Sequence, residues 1–169
     1  PKHQTWYEDV LLGEYKFDYL IGAAHLFLDA DQNWVGTYGG TTSPKALNEF
    51  ADYTVLMMRS GVFDFIAHPD LFGNCYETWD ENCTACTRDI MAAAEELGVG
   101  LEVNALGIRK QAAKSRNNRF PLYPWLPFWE EATQYNVQVI VTADAHRPQD
   151  LQGKTAEAFK IVNDLGLKH

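Results

Sequence analysis

Long apolar runs, basic residues and cysteine are all scarce in this chain, and each scarcity removes a class of function. No run approaches the ~18–20 apolar residues that span a bilayer, so no membrane anchor is expected. No charged-then-apolar leader opens the chain, so no secretion signal is expected either. Lys and Arg number 14 against 23 Asp and Glu, for a net charge of -9. That balance opposes a broad nucleic-acid or anionic-membrane footprint. It leaves a small phosphate monoester open, because a metal ion or one local cation reverses the field inside a pocket.

The three cysteines, Cys75, Cys83 and Cys86, are odd in number and build no disulfide framework. This usage fits a reducing compartment, the cytoplasm. Cys83 and Cys86 have zinc-like spacing, but the second pair is missing, and Cys75 and His68 would have to complete the four ligands of a closed site. Three thiols around a loop-to-helix junction is the preferred reading, with metal storage or sensing as its alternative. Also missing are a glycine-rich phosphate loop, a Gly-x-Ser-x-Gly elbow and a Cys-His nucleophile signature.

What is present is a chain of 169 residues, 46% apolar, enough for a single domain over 1–169 with a real core. Its first residues, Pro1-Lys2-His3, lack a Met, as expected of a fragment, a processed chain or a trimmed one. The stretch Val137-Gln138-Val139-Ile140-Val141-Thr142-Ala143-Asp144-Ala145-His146 is the most informative. An apolar, β-branched run of strand length ends in an acid and an imidazole. Other strands end alike. The first runs from Phe17 and closes at His25, and the second runs from Val62 to His68, Pro69 and Asp70. The third, Val99 to Val103, carries Glu102 and then Asn104 on one face, because side chains alternate along a strand.

Helices are expected between them. Ser43-Pro44 is a strong start, with Leu47, Phe50, Ala51, Thr54 and Met58 at helical spacing and Gly61 as the stop. Further helices are expected over 84–97, 126–135 and 151–165. The segment 26–42 reads as a long loop, a lid or a substrate wall. The segment 105–124 reads as a basic loop with Arg109, Lys110, Lys114, Arg116 and Arg119, suited to a phosphate contact, with the last three taken as a solvated face. Asp70 is available to orient an imidazole.

Strand and helix alternate throughout, which gives an α/β fold with parallel strands and the strand ends on one side of the sheet. His25, His68, Glu102, Asn104, Asp144 and His146 would meet there. Neutral imidazole with carboxylate suits zinc, manganese or iron. Metal ions of that kind give a nucleophile at neutral pH and clamp a phosphoryl group, which is the chemistry a phosphomonoester needs.

The segments Tyr19-Leu20-Ile21-Gly22-Ala23-Ala24-His25, Ile66-Ala67-His68-Pro69-Asp70-Leu71, Leu101-Glu102-Val103-Asn104 with Arg109-Lys110, and Ala143-Asp144-Ala145-His146-Arg147-Pro148 resemble the polymerase-and-histidinol-phosphatase (PHP) family, its histidinol-phosphatase branch above all. The resemblance implies a distorted (β/α)7 TIM-like barrel with two to three divalent metal ions at the strand ends. It implies His25 and His68 as ligands of one metal, Asp144 of a second and His146 of a third, with Asp144 and His146 catalytic. Arg109 resembles a substrate-phosphate contact, and Glu102 and Asn104 pocket residues. The implied reaction is hydrolysis of L-histidinol phosphate by a metal-bridged hydroxide, in histidine biosynthesis. The alternatives are another phosphoester substrate and a catalytically incompetent accessory domain.

The family's opening His-x-His strand, its further histidines and its bridging Glu have no match in this chain. The resemblance therefore implies a C-terminal part of a barrel, with metal partly bound or absent. It would be completed by an N-terminal segment or by self-association, and would bind neither nucleic acid nor membrane.

Overall fold

The computed structural model describes residues 3–114 and 123–169, without the side chains of 112–114. Arg116 and Arg119 lie outside the described residues, as does the side chain of Lys114. The chain starts with a helical turn, α1 (Gln4–Trp6), that widens into a π-helix over Tyr7–Glu14. The strands are β1 (Ile21–Gly22), β2 (Leu26–Leu28), β3 (Trp34–Gly36), β4 (Phe65–Ile66), β5 (Gly100–Asn104) and β6 (Val139–Thr142). The remaining helices are α2 (Thr37–Gly40), α3 (Pro44–Arg59), α4 (Glu81–Leu97), α5 (Ala105–Lys114), α6 (Leu126–Ala132) and α7 (Thr155–Asp164).

β1, β4, β5 and β6 form one sheet in that order, and every pairing in it is parallel. Parallel pairing puts all four carboxyl ends on one side, as the strand–helix alternation predicts. The strand cores are apolar and buried: Ile66, Leu101, Val103 and Val139 are each at most 1% exposed. The sheet is open among the described residues, with β1 and β6 outermost. Near β1 the exposed side chains include Phe17, Tyr19 and Ile21.

The helices follow from caps and periodicity. The Ser43 hydroxyl accepts from the Ala46 N–H at 3.3 Å, with Pro44 in the first turn. Leu47, Phe50, Ala51, Thr54, Met57 and Met58 then fall on the buried face of α3. Asp80 caps α4 by accepting from the Cys83 N–H at 2.9 Å, and Gly98 ends it at φ +68°. This cap starts the helix earlier than the expected Thr84. α3 packs on α4, and α4 on α6, where Phe128 and Trp129 are fully buried.

Two segments differ from expectation. The expected loop 26–42 holds an antiparallel hairpin, β2–β3, followed by α2. Its turn is tied by Asp29, whose carboxylate accepts from the Asn33 N–H at 2.7 Å. Leu26-Phe27-Leu28 and Trp34-Val35 were short apolar runs around a polar turn, a hairpin signal that the nearby glycines masked. The expected basic loop is helical through Lys114, so Arg109 and Lys110 sit on α5. The basic side chains that suggested a loop are ordinary helix formers.

The three cysteines are free and buried. The Cys75 thiol lies 2.7 Å from the Thr41 hydroxyl and donates to the Thr37 carbonyl at 3.1 Å. Burial pushes the thiol of Cys83 up to about 12 and that of Cys86 well above its ordinary value, which keeps both as thiols. Among the described residues no helix is long and apolar enough to cross a membrane.

Candidate active site

The site lies beyond the carboxyl ends of the parallel strands, where open α/β sheets place ligands. β4 ends just before His68, and β1 ends just before His25. Their Nε2 atoms lie 3.1 Å apart and share a proton in a direction that the tautomer sets. His68 is buried, and burial together with His25 lowers its pKa to about 4. His25 is also lowered, by burial first, with the Asp144 carboxylate opposing and Lys110 adding to the shift. Both imidazoles are therefore held neutral, the form that binds metals.

Backbone geometry adds to this. His68 has φ +34° and Asp144 has φ +44°, both in the left-handed region that side chains rarely adopt. Such conformations cost about 1–3 kcal/mol each and persist where surrounding contacts impose them. Both residues are held by such contacts. The His68 N–H donates to Glu102 Oε2 at 2.9 Å, and the Asp144 N–H donates to the Thr142 hydroxyl at 3.1 Å.

Glu102 and Asn104 share one face of β5, as period-two alternation requires. Asn104 Nδ2 donates to Glu102 Oε2 at 2.8 Å and to Asp144 Oδ2 at 3.1 Å. The Thr142 hydroxyl donates to Glu102 Oε1 at 2.5 Å. Burial raises the Glu102 pKa, and the three donors on it oppose the rise. Glu102 is thus the hub joining β4, β5 and β6, with Asn104 carrying the link to Asp144. Asp144 is 29% exposed, and His146 is 67% exposed, with its Nδ1 3.0 Å from the Asp144 carbonyl oxygen.

Asp70 orients no imidazole. It is fully buried and accepts from the Trp125 N–H at 2.6 Å and the Trp129 indole at 3.0 Å. Its burial raises the pKa to about 7 against those two donors. It anchors the start of α6. Arg109 turns its guanidinium onto backbone carbonyls: Nη1 donates to Ala143 at 2.8 Å and Gly153 at 2.7 Å, and Nη2 to Asp144 at 3.0 Å. Nε lies 3.9 Å from Asp150.

Sequence reasoning passed over an aromatic wall beside the imidazoles. Tyr38 stacks on His25 at 6.1 Å between ring centroids, and Tyr123 packs on His68 at 5.6 Å. Lys110 Nζ donates to the Tyr123 hydroxyl at 2.9 Å, 5.4 Å from the centre of the Tyr38 ring. Gly107 makes this possible, since a Cβ there would lie 2.1 Å from the Tyr123 carbonyl oxygen. Tyr38 lay in the presumed loop, and nothing local in sequence pairs it with Tyr123.

The donors fit part of a metal shell. Two ligands at the usual zinc–nitrogen distance of about 2.0–2.1 Å, spaced as these two Nε2 atoms are, subtend roughly 95–100°, between octahedral and tetrahedral values. His68 Nδ1 is buried with no hydrogen-bond partner among the described residues, so its ring is held by packing and by its Nε2 side. Among the described residues no group of three or more His, Cys, Asp or Glu gathers closely enough to hold one ion. His25 and His68 converge, Asp144 acts on both through its charge, and His146 stands apart.

No family model matches the chain. Over 181 aligned residues it is 28% identical to a protein of Deinococcus radiodurans described as "Probable histidinol-phosphatase", with 98% of this chain and 61% of that protein covered. The fold of this chain is similar to the crystal structure of histidinol phosphate phosphatase from Lactococcus lactis complexed with zinc, L-histidinol and phosphate. That match has a TM-score of 0.66 and 13% identity, covering 98% of this chain and 63% of the other. The parallel strands thus have the fold of part of a TIM-like barrel, as the motif resemblance implied. The chain spans about three fifths of the length of the relatives it matches.

Proposed function

We propose that this chain supplies the strand-end half of a metal-dependent phosphomonoester hydrolase that converts L-histidinol phosphate to L-histidinol and phosphate. The observation that carries the reading is the pair of neutral imidazoles, 3.1 Å apart between Nε2 atoms, at the carboxyl ends of parallel strands. Similarity across 98% of the chain to a protein described as a probable histidinol-phosphatase, and a similar fold whose crystal structure holds zinc, L-histidinol and phosphate, give that pair its context.

In this reading His25 and His68 hold one divalent ion, zinc first, then manganese or iron. Asp144 contributes to a second and His146 to a third, so two to three ions serve the complete site. When bound, the ions supply Lewis-acid charge and a water acidic enough to act near neutral pH. The chain's own residues do the rest. Asp144 is aimed by Asn104 and by the carbonyl clamp of Arg109. Glu102 keeps the His68 backbone and Thr142 in place, and Asn104 fixes the spacing between β5 and β6.

The domain over 1–169 is read as part of a barrel, and the remaining ligands come from an additional segment or a second copy. The free thiols suit the cytoplasm. Two measurements test this. Metal analysis by native mass spectrometry should find few or no ions on the chain alone, and two or three once an N-terminal His-x-His segment is supplied. Phosphate release from L-histidinol phosphate should appear only in the second case. Full turnover by the 169-residue chain alone would overturn the partial-site reading. Loaded metal without turnover on any phosphomonoester would instead favour an accessory, non-catalytic domain, the reading that the lack of a three-ligand group among the described residues supports.

A further inference from the structure

α5 carries two adjacent cations, and its geometry sends them different ways. Successive residues on a helix diverge by roughly 100°. Arg109 points to the β6 end and spends its donors on the carbonyls of Ala143, Asp144 and Gly153. Lys110 points to the imidazole side. Its ammonium lies 5.4 Å from the Tyr38 ring centre and 5.2 Å from that of Tyr123, and donates to the Tyr123 hydroxyl. Those same rings pack on His25 and His68.

We propose that Lys110, held between Tyr38 and Tyr123 beside the His25–His68 pair, is the side chain that contacts the phosphoryl oxygens. The inference rests on the phosphoester reading of the strand-end site. Three observations carry it. Two aromatic faces hold the ammonium without neutralising it, unlike a carboxylate. Among the described residues no carboxylate forms an ion pair with it, and its one hydrogen bond leaves two N–H donors. The two rings that hold it also pack on His25 and His68, so it stands beside any group bound at that pair. A compact ammonium binds a phosphoryl oxygen as a point charge. Arg109, with its fork filled by the backbone, becomes the positioning residue that aims Asp144.

The test uses the metal-loaded protein and inorganic phosphate as the probe, with L-histidinol phosphate turnover measured separately. Lys110→Met keeps the stem and removes the charge. It should weaken phosphate binding by calorimetry at least about tenfold, the scale of one charged hydrogen bond. Lys110→Arg should recover part of the affinity. Lys160→Met, on an exposed lysine paired with Asp164, should change nothing. On the unaltered protein, phosphate should slow reductive methylation of Lys110, read by peptide mass spectrometry, but not of Lys160.

Phosphate affinity within twofold of the parent in Lys110→Met, or methylation of Lys110 indifferent to phosphate, would overturn the assignment. The two readings separate cleanly. Phosphate binding that depends on Lys110, without hydrolysis of any monoester, keeps Lys110 and sinks the phosphatase. Hydrolysis that survives Lys110→Met with unchanged KM and kcat keeps the phosphatase and sinks Lys110.

Discussion

β5 and β6 are joined through four registered residue pairs, whereas β1 meets β4 through two. The chemistry at the two ends of the sheet differs in the same way. On the β5–β6 side Glu102, Asn104, Thr142 and Asp144 form a closed hydrogen-bond network. On the β1–β4 side His25 and His68 lean on each other and on two tyrosine rings, and His68 Nδ1 has no partner among the described residues. The carboxylate half is held by its own hydrogen bonds. The imidazole half is presented by packing, and its polar atoms gain most from a metal or a substrate.

The carboxylate half depends most on Glu102. Glu102→Ala strands the His68 N–H, the Asn104 amide and the Thr142 hydroxyl in a buried space. A buried donor left unsatisfied costs about 1–3 kcal/mol, and three are left here, so the urea midpoint should fall sharply. A drop under about 1 kcal/mol, the scale of a single net hydrogen bond, would mean that the network is not a hub. Gly107→Ala should come next. The added methyl collides with the Tyr123 carbonyl, and overpacking costs about 1–3 kcal/mol. The same variant should push Tyr123 off Lys110 and weaken phosphate binding, a coupling that a purely structural glycine would not show.

The acid limb of stability sharpens the contrast further. His68 titrates near 4 when folded and near 6.5 when unfolded, so its contribution falls as pH drops from about 6.5 to about 4. Asp70 titrates near 7 when folded and near 3.8 when unfolded, so its contribution rises over about the same window. In the metal-free chain the two oppose each other. Asp70→Asn keeps an acceptor for the Trp125 and Trp129 donors and removes only the titration. The variant should lose stability relative to the parent as pH falls from 7 to 4, measured by urea unfolding at several pH values. A parent-to-variant difference that stays constant with pH would contradict the raised Asp70 pKa.

Much of this frame could be read from the chain because its determinants are local. Ser43-Pro44 is a cap that needs no partner elsewhere. The apolar strands 99–103 and 137–142 carry their own period and their own functional ends, and β5 and β6 form where expected. The hairpin over Leu26–Gly36 was visible in principle as two short apolar runs around Asp29–Asn33. Helix α5 was hidden because its cations suggested a loop. The rest was not local at all. The Arg109 clamp on Ala143 and Gly153, and the Asp70 hold on Trp125, join residues separated by 34 to 55 positions. Residue type alone left Arg109 the better phosphate ligand. Only the packing of α5 against the β6 end consumes its fork and leaves Lys110 facing the imidazoles.

The smallest expected effect on stability falls on the other side of the sheet and is the most diagnostic. His25→Ala removes a half-buried ring whose hydrogen bond among the described residues goes to His68. Its net cost should stay near 1 kcal/mol, the scale of one hydrogen bond. It also removes the electrostatic effect of His25 on His68, whose pKa should rise toward its ordinary value and be visible in the imidazole proton shifts. Zinc binding should respond in the opposite proportion. Losing one of two nitrogen donors should raise the zinc Kd by more than the about tenfold to hundredfold that loss of a ligand's hydrogen-bond partner costs. If His25→Ala were instead strongly destabilising and left zinc affinity untouched, the ring would be a packing element, and the imidazole half would be as prebuilt as the carboxylate half.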